Sequence, residues 1–135
     1  MKKVFLDSDI MLDVSLERVP FYLPAINLME LCYQSRFKAV TSSIAFINTQ
    51  YFLNKFAPAT KLQSLKRLRS VISIINVDEQ IIDLALSSNF VDFEDAVQFY
   101  AAKSVNVDVI ITRNIKDYKE ANLPVLTPEQ FLKTL

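Results

Sequence analysis

Acidic and amide side chains recur in this sequence at spacings that can build a carboxylate site. Three aspartates lie close together near the start of the chain, and polar residues of the same kind follow later. The set is Asp7, Asp9, Asp13, Asn48, Asp95, Thr112, Asn114 and Asp117. Clustered carboxylates repel one another at low effective dielectric, so such a group usually needs a cation. Oxygen ligands suit Mg²⁺ or Mn²⁺, and an ion held this way can activate water and clamp a phosphodiester.

The composition excludes most other kinds of active site. The chain has no glycine, no histidine and a single cysteine, Cys32. Without glycine, the Walker loop, the dinucleotide fingerprint and the G-x-S-x-G elbow cannot form in their usual versions. Without histidine, a Ser-His-Asp triad, a histidine-bearing zinc site and an imidazole base are excluded. One cysteine allows neither an intramolecular disulfide nor a cysteine metal cluster.

Length and charge predict one ordinary domain over residues 1–135. Of the 135 residues, 51% are hydrophobic and 22% charged, with 15 basic residues balancing 15 acidic ones. This is enough apolar material for one sizeable core. A net charge of zero provides no overall positive potential to attract nucleic acid, so nucleic-acid binding needs a local basic patch. Because acids interrupt the N-terminal apolar run and no long apolar stretch occurs, we expect a soluble cytoplasmic protein without a membrane segment.

Apolar runs alternate with helix signals along the chain, which predicts an α/β domain with a mainly parallel five-stranded sheet. The predicted strands are residues 4–6, 38–41, 73–77, 107–112 and 125–126. The predicted helices run from Ser8 or Asp9 to Leu12, from the Pro20 and Pro24 region onward, over 43–56, 61–70, 79–88 and 93–104, and from Pro128. Ligands in such sheets bind beyond the carboxyl ends of the strands, where the polar residues fall. Without glycine, left-handed turn positions are expected at Asn89, Asn106 and Asn122.

Several of the acidic residues also have a purely structural interpretation. Asp9 fits a helix N-cap, and Asp95 fits a helix start of the capping-box kind. Asp13 fits a solvated helix position, and Asp117 fits a polar loop. Asp7 follows an apolar strand directly and is the hardest to explain by structure alone. The joint pattern favours the metal site.

Four segments resemble, in order, the motifs of PIN-domain proteins, the ribonuclease family that includes VapC-type toxins. They are residues 4–13 with the spacing hhhD-x-[ND]-hhhD and the following Arg18-Val-Pro20, then residues 41–48, 93–102 and 111–118. The resemblance covers nearly the whole chain. It implies a three-layer α/β/α fold and a Mg²⁺- or Mn²⁺-dependent endonuclease that acts on RNA.

The resemblance also implies roles for the acidic residues. By it, Asp7, Asp95 and Asp117 are the catalytic carboxylates and hold the metal, with Asn114 as the alternative to Asp117. Asp9 takes the position that is usually Asn or Asp in the first motif.

The second motif departs from the family pattern at its last position. The family normally has Glu there, and this chain has Asn48. An amide oxygen can still ligate a metal, but it carries no charge and cannot act as a base. The resemblance therefore implies a weaker metal site. It also implies that Ser43 or Thr112 supports the ligands.

Two other functions remain open on the sequence. Asn48 motivates a PIN-like binding module that has lost catalysis. The Leu6-Asp7-Ser8-Asp9 segment after a strand is similar to the nucleophile motif of haloacid-dehalogenase-like phosphatases. In that case Asp7 is the nucleophile and Asp9 the acid/base.

The expected partners are an RNA substrate, an antitoxin protein and a second copy of the chain. A basic helix is the candidate RNA surface, with a solvated helix face as the alternative, and it carries Lys61, Lys66, Arg67 and Arg69. A dimer is expected because the early helices carry more aromatic residues than a small core needs. These are Phe21, Tyr22, Tyr33, Phe46, Tyr51 and Phe52.

Overall fold

The computed structural model describes all 135 residues and contains a five-stranded sheet in the order β3-β2-β1-β4-β5. The strands are β1 Lys3–Leu6, β2 Lys38–Ser42, β3 Ile72–Ile75, β4 Val109–Ile111 and β5 Val125–Leu126. All neighbouring strands are parallel. The predicted parallel five-stranded sheet is confirmed.

Helices fill the connections between the strands. They are α1 Ser8–Ser15, α2 Tyr22–Tyr33, α3 Ser43–Phe56, α4 Lys61–Val71, α5 Glu79–Leu86, α6 Phe93–Ser104 and α7 Pro128–Leu132, with a 3₁₀ turn at Ile115–Tyr118. None of these helices has both the length and the apolar character needed to cross a membrane. Helix α1 runs past the predicted end at Leu12 to Ser15, and α5 ends at Leu86 rather than at residue 88. Helix α2 starts at Tyr22, within the predicted Pro20 and Pro24 region, so that Pro24 lies in its first turn.

The sheet is covered on both faces, which gives three layers. Along β1, Val4 and Leu6 point to one face and pack with Ile10 of α1. Phe5 points to the other face and packs with Val97 of α6. Since each strand residue is buried on one side or the other, β1 and β4 are nearly continuous apolar runs, as expected for a parallel sheet.

The side chains that begin the helices were largely predictable. Asp78 and Asp92 cap α5 and α6, as predicted, by accepting hydrogen bonds from backbone N–H groups in the first turn. The prediction of Ser8 or Asp9 as the cap of α1 was wrong. Asp7 is the cap, and its side chain accepts a hydrogen bond from the backbone N of Ser8. The chain thus passes from strand to helix with no intervening loop.

Three residues adopt left-handed backbone, at φ 51° for Glu17, 61° for Ser35 and 58° for Asn106. Each follows a helix end, where proteins usually place glycine. The prediction was right for Asn106 and wrong for Asn89 and Asn122. In a chain without glycine, Glu and Ser also take up this conformation, which costs roughly 1–2 kcal/mol per residue.

The fourth strand is shorter than predicted. Residues 107–112 were expected, and the strand is Val109–Ile111. Val107 belongs to the turn that ends α6, since its N–H donates to the carbonyl of Ala102 at 3.2 Å. The third strand, predicted at residues 73–77, is likewise displaced to Ile72–Ile75.

Candidate active site

The carboxyl ends of β1 and β4 form the point at which the strand order reverses. The chain builds β2 and β3 on one side of β1, then returns to add β4 and β5 on the other. The backbone N of Asp7 donates to the carbonyl of Ile111 at 3.0 Å and joins the two strand ends. Open parallel sheets bind ligands at such a switch point. Asp7 and Thr112 are the residues that directly follow the two strands.

The Asp7 carboxylate is held by three donors. Its Oδ1 accepts from the backbone N of Ser8 at 2.8 Å. Its Oδ2 accepts from Thr112 Oγ1 at 3.0 Å and from the Tyr118 hydroxyl at 3.1 Å. Burial nevertheless raises the pKa of Asp7, and the charge of Asp117 adds to the effect. Sequence reasoning missed Tyr118, whose buried hydroxyl gave no signal in the sequence.

Asp9 lies beside Asp7, and only one of its two carboxylate oxygens has hydrogen-bond partners. Its Oδ2 accepts from the backbone N of Arg113 at 2.9 Å and from Asn114 Nδ2 at 3.3 Å. Thr112 Oγ1 lies 3.3 Å from the same oxygen. Its Oδ1 is buried and has no hydrogen-bond partner. Burial, followed by the charge of Asp7, raises the pKa of Asp9 to about 6.

Asp95 reaches the same region from the first turn of α6. Its backbone N donates to Asp92 Oδ1 at 3.0 Å, as the helix-start interpretation predicted, but its half-buried side chain makes no hydrogen bond. Burial is the largest cause that raises the pKa of Asp95 to about 7, and the charges of Asp92, Asp7 and Asp117 contribute next. Asp117 is exposed in the 3₁₀ turn. These carboxylates are therefore close enough to repel one another.

Asn48 faces a residue that the sequence did not single out. Its Nδ2 donates to Glu94 Oε1 at 2.6 Å. Burial raises the pKa of Glu94, and the charges of Asp92 and Asp7 raise it further. Glu94 directly precedes Asp95 in the third motif, and that position was the only available signal.

Of the two supporting residues implied by the resemblance, only Thr112 contacts the acidic residues. Ser43 makes no side-chain hydrogen bond. Its neighbour Ser42 caps α3 by accepting from the backbone N of Ala45 at 2.9 Å, and its hydroxyl donates to the buried Gln98 side chain. Ser42 is therefore the residue that fixes the start of α3.

Asp13 is not solvated, so that interpretation was wrong. It is fully buried and is paired with two arginines. Arg113 Nε lies 2.7 Å from Oδ2, and Arg18 Nε lies 2.9 Å from Oδ1. The Arg113 guanidinium carbon also lies 3.8 Å from the centre of the Phe21 ring. This cluster fixes the loop that follows β4, because the backbone N of Arg113 binds Asp9.

The basic residues of α4 form no ion pair with the acidic residues. The only ion pairs in the structure are the two on Asp13. Lys61 Nζ donates to Asn54 Oδ1 at 3.0 Å, and Arg69 Nη1 donates to the carbonyl of Ile72 at 3.3 Å. Lys66 and Arg67 are exposed. RNA binding by this helix stays a prediction.

The donor set fits a hard divalent cation. As the side chains stand, no three acidic, histidine or cysteine side chains are gathered closely enough to hold a metal ion. Two observations still favour a cation among them. The Asp9 Oδ1 atom is buried without a partner, and the charge of Asp7 raises the pKa of both Asp9 and Asp95. A bound cation would satisfy the first and relieve the second.

Comparison with known proteins identifies the family. A family model of the PIN domain matches residues 3–116. Ribonuclease VapC1 of Aquifex aeolicus is 26% identical over 135 residues, covering 96% of this chain and 93% of that protein. A toxin-antitoxin complex from Klebsiella pneumoniae contains a chain that is 22% identical, with a TM-score of 0.70 and coverage of 93% and 97% of the two chains. VapBC2 from Rickettsia felis, bound to a promoter DNA fragment, gives 19% identity, a TM-score of 0.70 and coverage of 92% and 96%. With the fold shared and the family model matched over most of its length, the chain belongs to the PIN domain family.

Proposed function

We propose that this chain, acting as one domain over residues 1–135, is a Mg²⁺- or Mn²⁺-dependent endoribonuclease of the toxin type. The observation that carries the proposal is the group of acidic side chains around Asp7 at the switch point of the sheet. Membership of the PIN domain family and the name of the ribonuclease from Aquifex aeolicus support it. The substrate class is RNA, and the bond cleaved is the phosphodiester.

The proposal assigns roles to the polar residues at the switch point, with Asp9 supporting the ligands beside Asp7. Asp7, Asp95 and Asp117 would hold the cation, with Asn114 and Asn48 as neutral oxygen ligands nearby. When bound, such an ion activates water and neutralises charge on the phosphodiester.

The chain's own residues prepare the site for that ion. Thr112 and Tyr118 fix the orientation of the Asp7 carboxylate through its Oδ2. Burial raises the pKa of Asp95 to about 7, and a cation held beside it would favour the ionised carboxylate.

The test is RNA cleavage with Mn²⁺ by the wild type and by Asp7→Asn. Asn is as good a helix N-cap as Asp, so the start of α1 is preserved while the charge is lost. We expect cleavage to fall by at least about a hundredfold, in the range that removal of one essential charge-stabilising group produces. Asp83→Asn, which removes an exposed carboxylate from α5, is the matched control. Equal cleavage by wild type and Asp7→Asn would contradict the assignment.

A non-catalytic binding module is the second candidate, and Asn48 is the observation that favours it. Calorimetric titration with Mn²⁺ separates the two functions. A catalytic site requires cation binding at millimolar Mn²⁺ or below, whereas retained RNA binding without Mn²⁺ binding supports the module. The phosphatase alternative gains no support from the family match.

We further propose an antitoxin protein as a partner, by analogy with the toxin-antitoxin complex from Klebsiella pneumoniae. Such a partner is expected to suppress RNA cleavage at an equimolar ratio.

A dimer is proposed on the exposed aromatic face of α3. Tyr51 is 63% exposed and Phe56 is 61% exposed, and Phe52 packs against both rings. Of the other aromatics expected at this contact, Tyr33 and Phe21 are exposed, and Tyr22 and Phe46 are partly buried. Light scattering of the wild type and of Tyr51→Ser tests this interface.

A further inference from the structure

The side chains of Asn48 and Glu94 meet across two helices, although the residues are 46 positions apart. Asn48 stands in α3, at the position where the family motif normally ends in Glu. Glu94 stands in the first turn of α6, next to Asp95. We propose that Glu94 supplies the carboxylate that position 48 lacks, and that the Asn48 amide orients it toward the cation site. This inference rests on the proposed function, because it names a further ligand-bearing residue of the same site.

The geometry places the ends of the two side chains next to each other. Asn48 Nδ2 lies 2.6 Å from Glu94 Oε1, so a carboxylate on either helix would reach the same region. A Glu at position 48 would bring a second carboxylate against Glu94, and like charges at that distance repel strongly. Without a cation, this repulsion disfavours an acid on both helices at once. Asn at position 48 turns the contact into a hydrogen bond to a charged group, which is among the stronger kinds.

Glu94 also lies within electrostatic reach of the other acids. The charge of Asp7 raises the pKa of Glu94, and the charge of Glu94 contributes to the raised pKa of Asp95. Stabilisation of the α6 dipole alone does not account for this electrostatic coupling between Glu94 and Asp7. That task is already met by Asp92, the N-cap, and by Asp95 in the first turn.

The experiment compares wild type, Glu94→Gln, and the exchange variant Asn48→Glu/Glu94→Gln. Mn²⁺ affinity is measured by calorimetry, together with the Mn²⁺-induced shift in Tm and RNA cleavage. The control is Glu79→Gln, which removes an exposed carboxylate from the first turn of α5 and so reproduces any loss of dipole stabilisation. Tm without metal reports whether each variant is folded.

We expect Glu94→Gln to weaken Mn²⁺ binding by at least about tenfold, and the exchange variant to restore it to within about threefold of wild type. Glu79→Gln should bind like wild type. Mn²⁺ affinity within twofold of wild type for Glu94→Gln, or a folded exchange variant that does not recover, would overturn the inference. If the exchange variant does not fold, Glu94→Asp is the deciding variant. Its Mn²⁺ affinity must then lie closer to that of wild type than the affinity of Glu94→Gln does.

The outcomes also separate this inference from the proposed function. If the wild type binds Mn²⁺ but does not cleave RNA, the proposed ribonuclease function is contradicted. The Mn²⁺ affinities of the variants still decide the role of Glu94. A wild type that does not bind millimolar Mn²⁺ overturns both. Normal cleavage and Mn²⁺ binding by Glu94→Gln overturn the role of Glu94 alone.

Discussion

Replacing Asp95 by Asn should stabilise the metal-free protein at pH 8. Burial, with the charges of Asp92 and Asp7, raises the pKa of Asp95 from 3.8 to about 7. A carboxyl group with a raised pKa binds its proton more tightly in the folded state than in the unfolded state. The free energy of unfolding therefore falls as the pH rises from about 4 to about 7, and the full cost is present above that range.

The size of the effect follows from the pKa difference. The rise from 3.8 to about 7 corresponds to about 4 kcal/mol, at about 1.4 kcal/mol per pKa unit. Asp95 is only half-buried, so solvent screening reduces this figure to about half. Loss of a negative charge from the first turn of α6 opposes the gain by about 0.3–1 kcal/mol. The net expected stabilisation by Asp95→Asn at pH 8 is about 1–2 kcal/mol.

Urea unfolding in EDTA at pH 8 and at pH 4 measures this difference for wild type, Asp95→Asn and Asp83→Asn. At pH 4 the folded wild type already carries the proton on Asp95, so the advantage of Asp95→Asn should nearly vanish. Asp83→Asn should differ from wild type by less than about 0.5 kcal/mol at either pH. The reasoning fails if Asp95→Asn is less stable than wild type at pH 8 and the difference in free energy of unfolding is the same at pH 4. In that case the charged form of Asp95 is not destabilised by its surroundings.

Two further substitutions test the residues that position the site. Tyr118→Phe removes the hydroxyl that donates to Asp7, so the free energy of unfolding should drop by about 1–2 kcal/mol, and calorimetry should show weaker Mn²⁺ binding. Arg113→Lys replaces the guanidinium that binds both oxygens of Asp13, and urea unfolding should show a loss of about 2–4 kcal/mol, because a buried charge is left poorly paired. Unchanged Mn²⁺ affinity in Tyr118→Phe would show that the hydroxyl does not contribute to Mn²⁺ binding. An Arg113→Lys protein as stable as wild type would contradict the structural role of the ion pair between Arg113 and Asp13.

The sheet was predictable because strands buried on both faces consist of continuous apolar residues in the sequence. The residues of β4 are buried on both faces and read as an unbroken apolar run. The caps of α5 and α6 were predictable for a similar local reason, since Asp78 and Asp92 bind backbone groups only a few residues away. Asp7 was placed at the site because a strand in an open parallel sheet ends where ligands bind.

The rest of the site depends on contacts between residues far apart in the chain. Arg113 meets Asp13 across 100 positions, and the Tyr118 hydroxyl meets Asp7 across 111. Neither pair has a periodicity or a local spacing that reveals it. The sequence therefore suggests a solvated position for Asp13 and assigns no role to Tyr118. Glu94 was missed for the same reason, because its partner Asn48 lies on another helix.

The distribution of charge distinguishes the acid that serves the fold from those that the proposed function assigns to a cation. Asp13 is fully buried, and both ion pairs in the structure are made to it, so its charge is neutralised within the chain. Asp7, Asp9 and Asp95 receive no ion pair, and their raised pKa values show that the fold holds their charges at a cost. Two arginines form their ion pairs with this one structural aspartate, and the acids at the switch point form none; under the proposed function, a positive charge from outside the chain balances them. A divalent cation could meet that need with oxygen ligands alone, so the proposed function requires neither glycine nor histidine.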